Sequence, residues 1–520
     1  MESPFTIADT KLKTANFIAG YLKISTPEKT WGMAIVFNQT SNPPLSDSEL
    51  KDVFDQELVS FKELTPTKQK GQEEAICALH KKNKKQGTYL LAQYIVQKYN
   101  IITIGEHERE MFIYRDGMYY PGAENLVIYP EIQNILTEEV DKSAKTETFH
   151  KIADATSHSR SIFQETDPRY IPLKNGVYDF ITNILLPHSP DYHFTYQFPI
   201  VFKPDALCPR IDQFLDDILN PTQRKIVEEW LGYYFYRIYM FKKAMIFVGA
   251  GDTGKTTLLE VITYLLGRNN ISSISLQKMS SDKFSAAHLY EKHANLVDEL
   301  SSRDITDTGS FKVATGGGTV TGEYKFGNQF SFHNFSKFTF ACNKIPEVKD
   351  MDDEAFFNRW IVIRFENMIL KKIPNFIDTL RIEDEKSGLF NVAMVGLRRL
   401  LDHKRFSYHN TAEETKNQMM MSGSSIPMFV SQMLIKDFGA EVTREEMYDA
   451  YTNFCQKHNL APQTKEMLGR RLIGCASYVS DGMVAPPTGK KHRVWRNAKL
   501  RVTEEKQAVI TKADKEFEDF

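Results

Sequence analysis

The octapeptide GAGDTGKT at residues 249–256 constrains this chain more than any other stretch. Immediately before it stands the apolar run Ala244-Met245-Ile246-Phe247-Val248; immediately after it comes the helix-forming run Thr257-Leu258-Leu259-Glu260-Val261-Ile262. The pattern G-x-x-x-x-G-K-[ST] between a buried strand and a helix reads as a phosphate-binding loop, because glycines let backbone N–H groups close around a polyphosphate at a helix N-terminus. Gly249, Ala250, Gly251, Asp252, Thr253, Gly254, Lys255, Thr256 and Thr257 are therefore expected to line ATP phosphates. Lys255 is expected to reach the β- and γ-phosphates, and the Thr256 hydroxyl to hold Mg²⁺. An ordinary glycine-rich turn is the competing reading; the flanking strand and helix weigh against it.

Phosphoryl transfer is mostly positioning plus charge neutralisation, so such a loop needs a companion strand that ends in acids. The run Ala294-Asn295-Leu296-Val297-Asp298-Glu299 supplies one. Asp298 is expected in the Mg²⁺ shell, and Glu299 is expected to polarise the attacking water. A third strand, Phe338-Thr339-Phe340-Ala341-Cys342, ends in Asn343. That Asn can orient the water or sense a γ-phosphate; a turn-forming Asn before Ile345-Pro346 is the plainer alternative. Arg359, just before the strand Trp360-Ile361-Val362-Ile363, is a candidate arginine finger, with Arg364 as the fallback. A surface salt bridge to Asp352, Asp353 or Glu354 is the alternative for Arg359.

Between these strands lies Lys312-Val313-Ala314-Thr315-Gly316-Gly317-Gly318, then TVTGEYKFGNQFSFHNF, which reads as a β-hairpin turning near Gly327-Asn328. Lys325, Phe326 and Asn328 fall near its tip. A cation beside an aromatic ring suits single-stranded DNA, through phosphate contact and base stacking. An ordinary exposed hairpin is the alternative.

A chain of 520 residues is long enough for about three domains. No apolar run approaches the roughly 20 residues needed to span a bilayer, and the N-terminus has no basic-then-apolar signal pattern. The expectation is a cytoplasmic protein with no membrane partner. The net charge of −2 does not announce a nucleic-acid binder, but its distribution is uneven. Between Pro462 and Arg501 nine basic residues face two acidic ones, Glu466 and Asp481, a surplus of seven. Clustering of one sign on a small module favours a phosphate partner.

The division expected along the chain is a partly helical segment at 1–60, a polar lysine-rich linker or exposed helix at 61–87, and a mixed, mostly helical domain at 88–205. An α/β ATPase core with flanking helices follows at 206–410, then a small module at 424–500 and a charged tail at 503–520. Within the small module the reading is helix, helix, helix, hairpin. The first helix runs from Ile426 to Phe438, and the second opens on the capping box Thr443-Arg444-Glu445-Glu446. Thr464 caps a third that carries Lys465, Arg470 and Arg471; a hairpin follows whose tip holds Lys490, Lys491 and Arg493. This is the element order of a winged helix, in which a basic helix docks on a groove and the wing touches phosphates. A protein-docking winged helix is the alternative.

Taken in order, GAGDTGKT, NLVDE, the K-x-x-T-G-G-G segment and FTFACNKIP followed by Arg359 resemble the superfamily 3 helicases, in particular the helicase half of phage and plasmid primase-helicases and the poxvirus-type enzymes. LKNGVYDF and LLPHSP resemble the domain that precedes the motor there, and DEKSGLFNVAMVGLRRLL resembles the helical segment after it. The resemblance covers roughly residues 88–500. It implies an AAA+-like motor assembled as a ring, commonly a homo-hexamer, with DNA threaded through the central channel and gripped by hairpins. It also implies ATP bound between subunits, Asn343 as sensor, Arg359 as a finger acting in trans, and forked as well as single-stranded DNA as substrate. Residues 1–87 are too short for the primase-polymerase domain that many members carry and contain no Asp-x-Asp. Primer synthesis is therefore not expected, and such a domain or protein is an expected partner. The expectation is a replication helicase of a phage- or plasmid-like element, against an ATP-switched origin-binding or loading protein.

Overall fold

The computed structural model describes residues 7–22, 27–39, 43–63, 66–105, 109–282, 284–301, 305, 308–325, 329–346, 348, 353–369, 373–423, 425–457, 462–484 and 492–501. Five apolar runs pair in parallel to form the central sheet. In chain order the strands of this region are β1 (Ala244–Gly249), β2 (Ile271–Ser272), β3 (Ala294–Val297), the hairpin strands β4 (Thr319–Glu323) and β5 (Gln329–His333), β6 (Lys337–Cys342) and β7 (Trp360–Phe365). The parallel sheet has the order β7-β1-β6-β3-β2; β4 and β5 form a separate antiparallel pair. Its strands are almost wholly buried, as expected of a parallel sheet covered on both faces.

Register decides where the strand ends fall. Val248 lies opposite Cys342 on one side and Arg364 on the other, and Val297 lies opposite Phe340. The carboxyl ends of β1, β3 and β6 therefore meet at one edge of the sheet.

Helices α1 (Pro209–Ile218), α2 (Pro221–Phe235), α3 (Lys255–Leu266) and the later α5 (Glu383–His403) contribute their buried residues to one large core, while the shorter α4 (Gly309–Ala314) belongs to the other face. The start of α2 is fixed by Pro221 in its first turn and by a reciprocal capping box between Asn220 and Gln223. Its buried face is anchored to β6: Trp230 Nε1 and Tyr234 Oη both reach Thr339 Oγ1, at 2.9 and 2.6 Å. Across α2 packs α5, at a separation only glycine permits. A Cβ on Gly232 would stand 2.3 Å from the Ala393 carbonyl oxygen, and one on Gly396 would stand 2.3 Å from that of Glu228. The fully buried Glu229 locks the pair by accepting hydrogen bonds from Arg399 Nε (2.9 Å), Ser407 N (2.8 Å) and Ser407 Oγ (2.7 Å). On the opposite face Phe311 of α4 stacks on Trp360 at 4.8 Å, and Val320 and Phe332 of the hairpin join that core.

Ahead of the central sheet in the chain, helices at Ile7–Leu22, Pro27–Gln39, Asp47–Glu63, Pro66–Lys82 and Lys84–Tyr99 lead into a four-stranded sheet. The Ser46–Glu49 capping box forms: Ser46 N reaches Glu49 Oε2 at 3.1 Å and Glu49 N reaches Ser46 Oγ at 3.4 Å. Of the two readings for 61–87, an open linker is corrected. Most of the stretch is helix, with Ile76 and His80 buried and Gly87 packed on the His80 backbone. The strands Glu110–Arg115 and Met118–Pro121 are joined by Asp116-Gly117, both at positive φ, the geometry of a two-residue hairpin turn.

The small C-terminal module comprises α6 (Ser425–Met433), β8 (Leu434–Thr443), α7 (Arg444–Lys457), α8 (Lys465–Cys475), β9 (Ser480–Val484) and β10 (His492–Leu500), with sheet order β8-β10-β9. The helix expected over 426–438 is corrected here: it ends at Met433, and Leu434 begins an edge strand paired with Leu500. Gly439 at φ +94 interrupts any helical continuation. The two later capping residues hold, with Thr443 Oγ1 accepting from Glu446 N at 3.1 Å and Thr464 Oγ1 from Met467 N at 3.3 Å.

Gly396→Ala drives a methyl into a carbonyl of α2 and is expected to lower stability by about 1–3 kcal/mol, read as a lowered thermal midpoint. Gly71→Ala, on an exposed helix with nothing within 4 Å, is expected to leave the midpoint unchanged or raise it.

Candidate functional site

A cleft of about 600 Å³ opens at the carboxyl edge of the sheet. Loop residues Gly251 to Thr257 form its floor, Asp298, Glu299, Cys342 and Asn343 one wall, and Phe214, Ile218, Ile369, Ile373 and Phe376 an apolar end. The loop's shape depends on its glycines. Gly254 sits at φ +91, where a side chain would also strike Ile218 Cγ2 at 2.8 Å, and Gly249 lies against the Phe365 carbonyl oxygen, 2.4 Å from where a Cβ would stand. Asp252 adopts φ +60, a conformation Asp tolerates better than most residues.

Lys255 opens α3 and is only 8% exposed. Its ammonium donates to the carbonyl oxygens of Gly249 (2.8 Å) and Ala250 (2.6 Å) and to Thr253 Oγ1 (3.3 Å). Burial pulls its pKa below the ordinary lysine value, against the opposing influence of Cys342 and Asp252. Burial likewise pushes the neighbouring Cys342 thiol up to about 12, keeping it neutral. Thr256, Asp298, Glu299 and Asn343 are all exposed in this cleft, and none makes a side-chain hydrogen bond or ion pair among the described residues. Backbone N–H groups of the first turn of α3 face the same space without intrahelical acceptors.

The remaining expected site residues lie elsewhere. Arg359 stands at the opposite edge of the sheet, one residue before β7. Six residues of strand, about 20 Å, separate it from the loop of its own chain, so the structure does not bring the two together. Its guanidinium is tied to Thr315 Oγ1 (3.0 Å) and to the carbonyl oxygens of Ala355 (2.5 Å) and Lys312 (3.4 Å). It makes no ion pair among the described residues. The nearby Asp353 is taken instead by Lys312 Nζ at 2.7 Å and Thr308 Oγ1 at 2.6 Å.

Lys325 is exposed where β4 turns toward β5, while Phe326 and Asn328 lie outside the described residues. Beneath Lys325 is an aromatic stack that sequence reading missed. Tyr324 stacks on Phe330 at 5.4 Å, Phe330 on Phe332 at 5.7 Å, and Tyr290 closes edge-on against both phenylalanines. The alternation Phe330-Ser331-Phe332 was the available signal.

In the C-terminal module Arg470 and Arg493 are exposed and Arg471 is half-buried; Lys490 and Lys491 lie outside the described residues. Part of the basic surplus is balanced internally. Lys465 pairs with Glu445 at 3.6 Å and Arg496 with Glu441 at 3.0 Å.

The cleft suits Mg²⁺ held with a polyphosphate. Such an ion keeps several waters and takes one or two protein oxygens, which Thr256 and Asp298 offer. Among the described residues no cluster of three or more His, Cys, Asp or Glu forms a protein-only metal cage, and no helix is long and apolar enough to cross a membrane. A larger hollow of about 810 Å³, lined by Asp167, Arg169, Phe180, Tyr236 and Leu401 among others, lies away from the loop.

Comparison with known proteins places relatives on both halves of this arrangement. Residues 96–220 match a family model described as D5 N terminal like, and residues 247–359 match a family of unknown function, DUF5906. A protein of Acanthamoeba polyphaga mimivirus that bears the name "Putative helicase" is 26% identical over 212 residues, which is 39% of this chain and 22% of that protein. The match thus spans less than a quarter of the length of that relative. Among solved structures, the apo C terminal region (305–718) of NrS-1 is similar at 13% identity and a TM-score of 0.45, over 79% of this chain and 99% of that one. The A form of the same region gives 13% identity and a TM-score of 0.43, over 78% and 98%. The sequence matches support kinship, over part of the chain, with viral helicase-like proteins.

Proposed function

We propose that this chain is an ATP-dependent DNA helicase of a viral, phage- or plasmid-like replication system, working as a ring around single-stranded DNA. One observation carries the reading: the glycine-rich loop, Asp298, Glu299 and Asn343 converge on one cleft, and the side chains of those three residues have no partner among the described residues. Unpaired carboxylates and an amide beside a helix N-terminus are poised for a ligand carrying both anionic phosphates and a divalent cation. The order β7-β1-β6-β3-β2, with the Asn343 strand between the loop strand and the acid strand, supports an AAA+-like core.

In this reading Lys255 exchanges its carbonyl partners for phosphate oxygens. Thr256 and Asp298 would hold Mg²⁺, which supplies charge neutralisation at the phosphates when bound. Glu299 accepts a proton from the attacking water, and Asn343 orients that water. Arg359 serves a neighbouring copy, because it presents at the sheet edge opposite its own loop. Lys325 on the hairpin tip holds the DNA backbone while the aromatic stack beneath stiffens the hairpin. The C-terminal module, read as a winged helix, adds phosphate contacts through Arg470, Arg471 and Arg493. The partner at a replication fork is a primase-polymerase domain or protein.

Lys255→Ala is expected to weaken binding of a fluorescent ADP by on the order of 100-fold, about 2.7 kcal/mol, measured by titration. Unwinding of forked DNA with a labelled strand is expected to require ATP and Mg²⁺ and to fall by at least about 100-fold in Glu299→Gln. Lys325→Ala is expected to keep nucleotide binding and lose strand displacement. Wild-type protein that hydrolyses ATP, assembles on DNA and displaces no strand would make the chain an ATP-switched origin-binding or loading protein instead.

A further inference from the structure

The carboxyl end of β7 meets the start of the loop at a place the proposed mechanism leaves unused. Arg364 pairs in register with Val248, one residue before Gly249. Arg364 is half-buried, and its guanidinium makes no hydrogen bond or ion pair among the described residues. Its five N–H donors are therefore open to solvent or to a ligand.

Its backbone, by contrast, is fixed from several directions. The Arg364 carbonyl oxygen accepts from Gln223 Nε2 at 2.8 Å. Farther along, Asn367 Nδ2 donates to the Asp217 carbonyl at 3.0 Å, and Ile369 N donates to the Asp252 carbonyl at 2.9 Å. The next residue, Phe365, presses its carbonyl against Gly249. The backbone that carries this cation is thus fixed, while its side chain has no partner among the described residues.

Arg364 lines a second, smaller hollow of about 190 Å³, together with Gly249, Ala250, Asn343 and Glu366 among others. Asn343 belongs to both hollows, so the smaller one continues the main cleft around the first residues of the loop. The helix N-terminus and Thr256 lie at the other end of the loop. A polyphosphate with its inner phosphates on α3 would have Gly249, Ala250 and Asn343 within the direction open to its outermost phosphate. Glu366, exposed at the rim, does not pair with Arg364 and is screened by solvent.

We infer that Arg364 binds the terminal phosphate of a nucleoside triphosphate held in its own chain, separating triphosphate from diphosphate. The inference rests on the nucleotide reading given above. A planar guanidinium offers two parallel N–H donors to a phosphate, and a terminal phosphate is the one group a triphosphate has and a diphosphate lacks. Arg359, bound to Thr315 at the far edge, has the complementary place: it acts on a neighbour, whereas Arg364 acts within one subunit.

The test is equilibrium binding of fluorescent ADP and of a slowly hydrolysed fluorescent ATP analogue, with Mg²⁺, at dilutions where light scattering reports single chains. Wild type, Arg364→Ala and Arg364→Lys are compared, each first shown to melt like wild type. The expected result is a loss of about tenfold for the triphosphate in Arg364→Ala, with the diphosphate changed less than about twofold and partial recovery in Arg364→Lys. Equal losses for both nucleotides, or no loss for either, overturn the assignment while leaving the nucleotide reading intact. A loss confined to assembled protein moves Arg364 to the neighbour's site and overturns it as stated. Failure of wild type to bind either nucleotide removes the nucleotide reading and this inference together.

Discussion

Parallel pairing on both sides of β1 is the constraint on which the rest of the molecule depends. Antiparallel neighbours would send the acid strand or the Asn strand to the opposite edge. Parallel neighbours bring Asp298, Asn343 and the loop to the same edge, since every strand runs the same way. A parallel sheet needs cover on both faces, and the chain supplies it: the aromatic and aliphatic residues of α2, α3 and α5 on one side, α4 and the hairpin on the other. Thr339 illustrates how closely this cover is specified. It is a polar residue in the middle of a buried strand, and its hydroxyl is engaged by an indole and a phenol from α2.

The two glycines at the α2–α5 crossing extend that specification beyond the sheet. Because each backbone lies against the other, α5 is positioned by contact with α2 rather than by its own connection to β7. Glu229, buried and bonded to Arg399 and Ser407, fixes the rotation of one helix on the other. The chain after the last strand returns in this way to cover the helix that precedes the first, and the segment from Arg364 to Ile369 is bonded to α2, to the end of α1 and to the loop at Asp252.

What was legible in the sequence was what is local. The loop, the acids after Val297 and the Asn after Cys342 are each defined by adjacency to a strand end, so reading the strands placed the residues. The capping residues Ser46, Thr443 and Thr464 were legible for the same reason: their partners are three residues away. Long-range features were not. The apolar end of the cleft gathers Phe214, Ile218, Ile369, Ile373 and Phe376 from segments far apart in the chain, and no one of them carries a pattern. The hydrogen bond from Arg359 to Thr315 crosses from β7 to the end of α4. The error at 434–438 has a different cause. Ile435 and Phe438 fall at helical spacing, but both are exposed on an edge strand, where β8 bulges between Lys436 and Glu441. The lysine-rich polarity of 61–87 left linker and exposed helix both open because only a few of its positions, Ile76 and His80 among them, carry the burial.

The ammonium of Lys255 already has three oxygen partners supplied by its own loop. An arriving ligand therefore meets a cation that is solvated by protein rather than by water, and it gains only the difference between its own oxygens and two peptide carbonyls. A neutral acceptor offers no such difference. A polyanion does, because its full negative charge attracts the ammonium more strongly than the partial charge of a peptide carbonyl. The loop thus sets a threshold of charge for whatever displaces its carbonyls. That threshold is set by the resting conformation of the loop itself, through the carbonyls of Gly249 and Ala250.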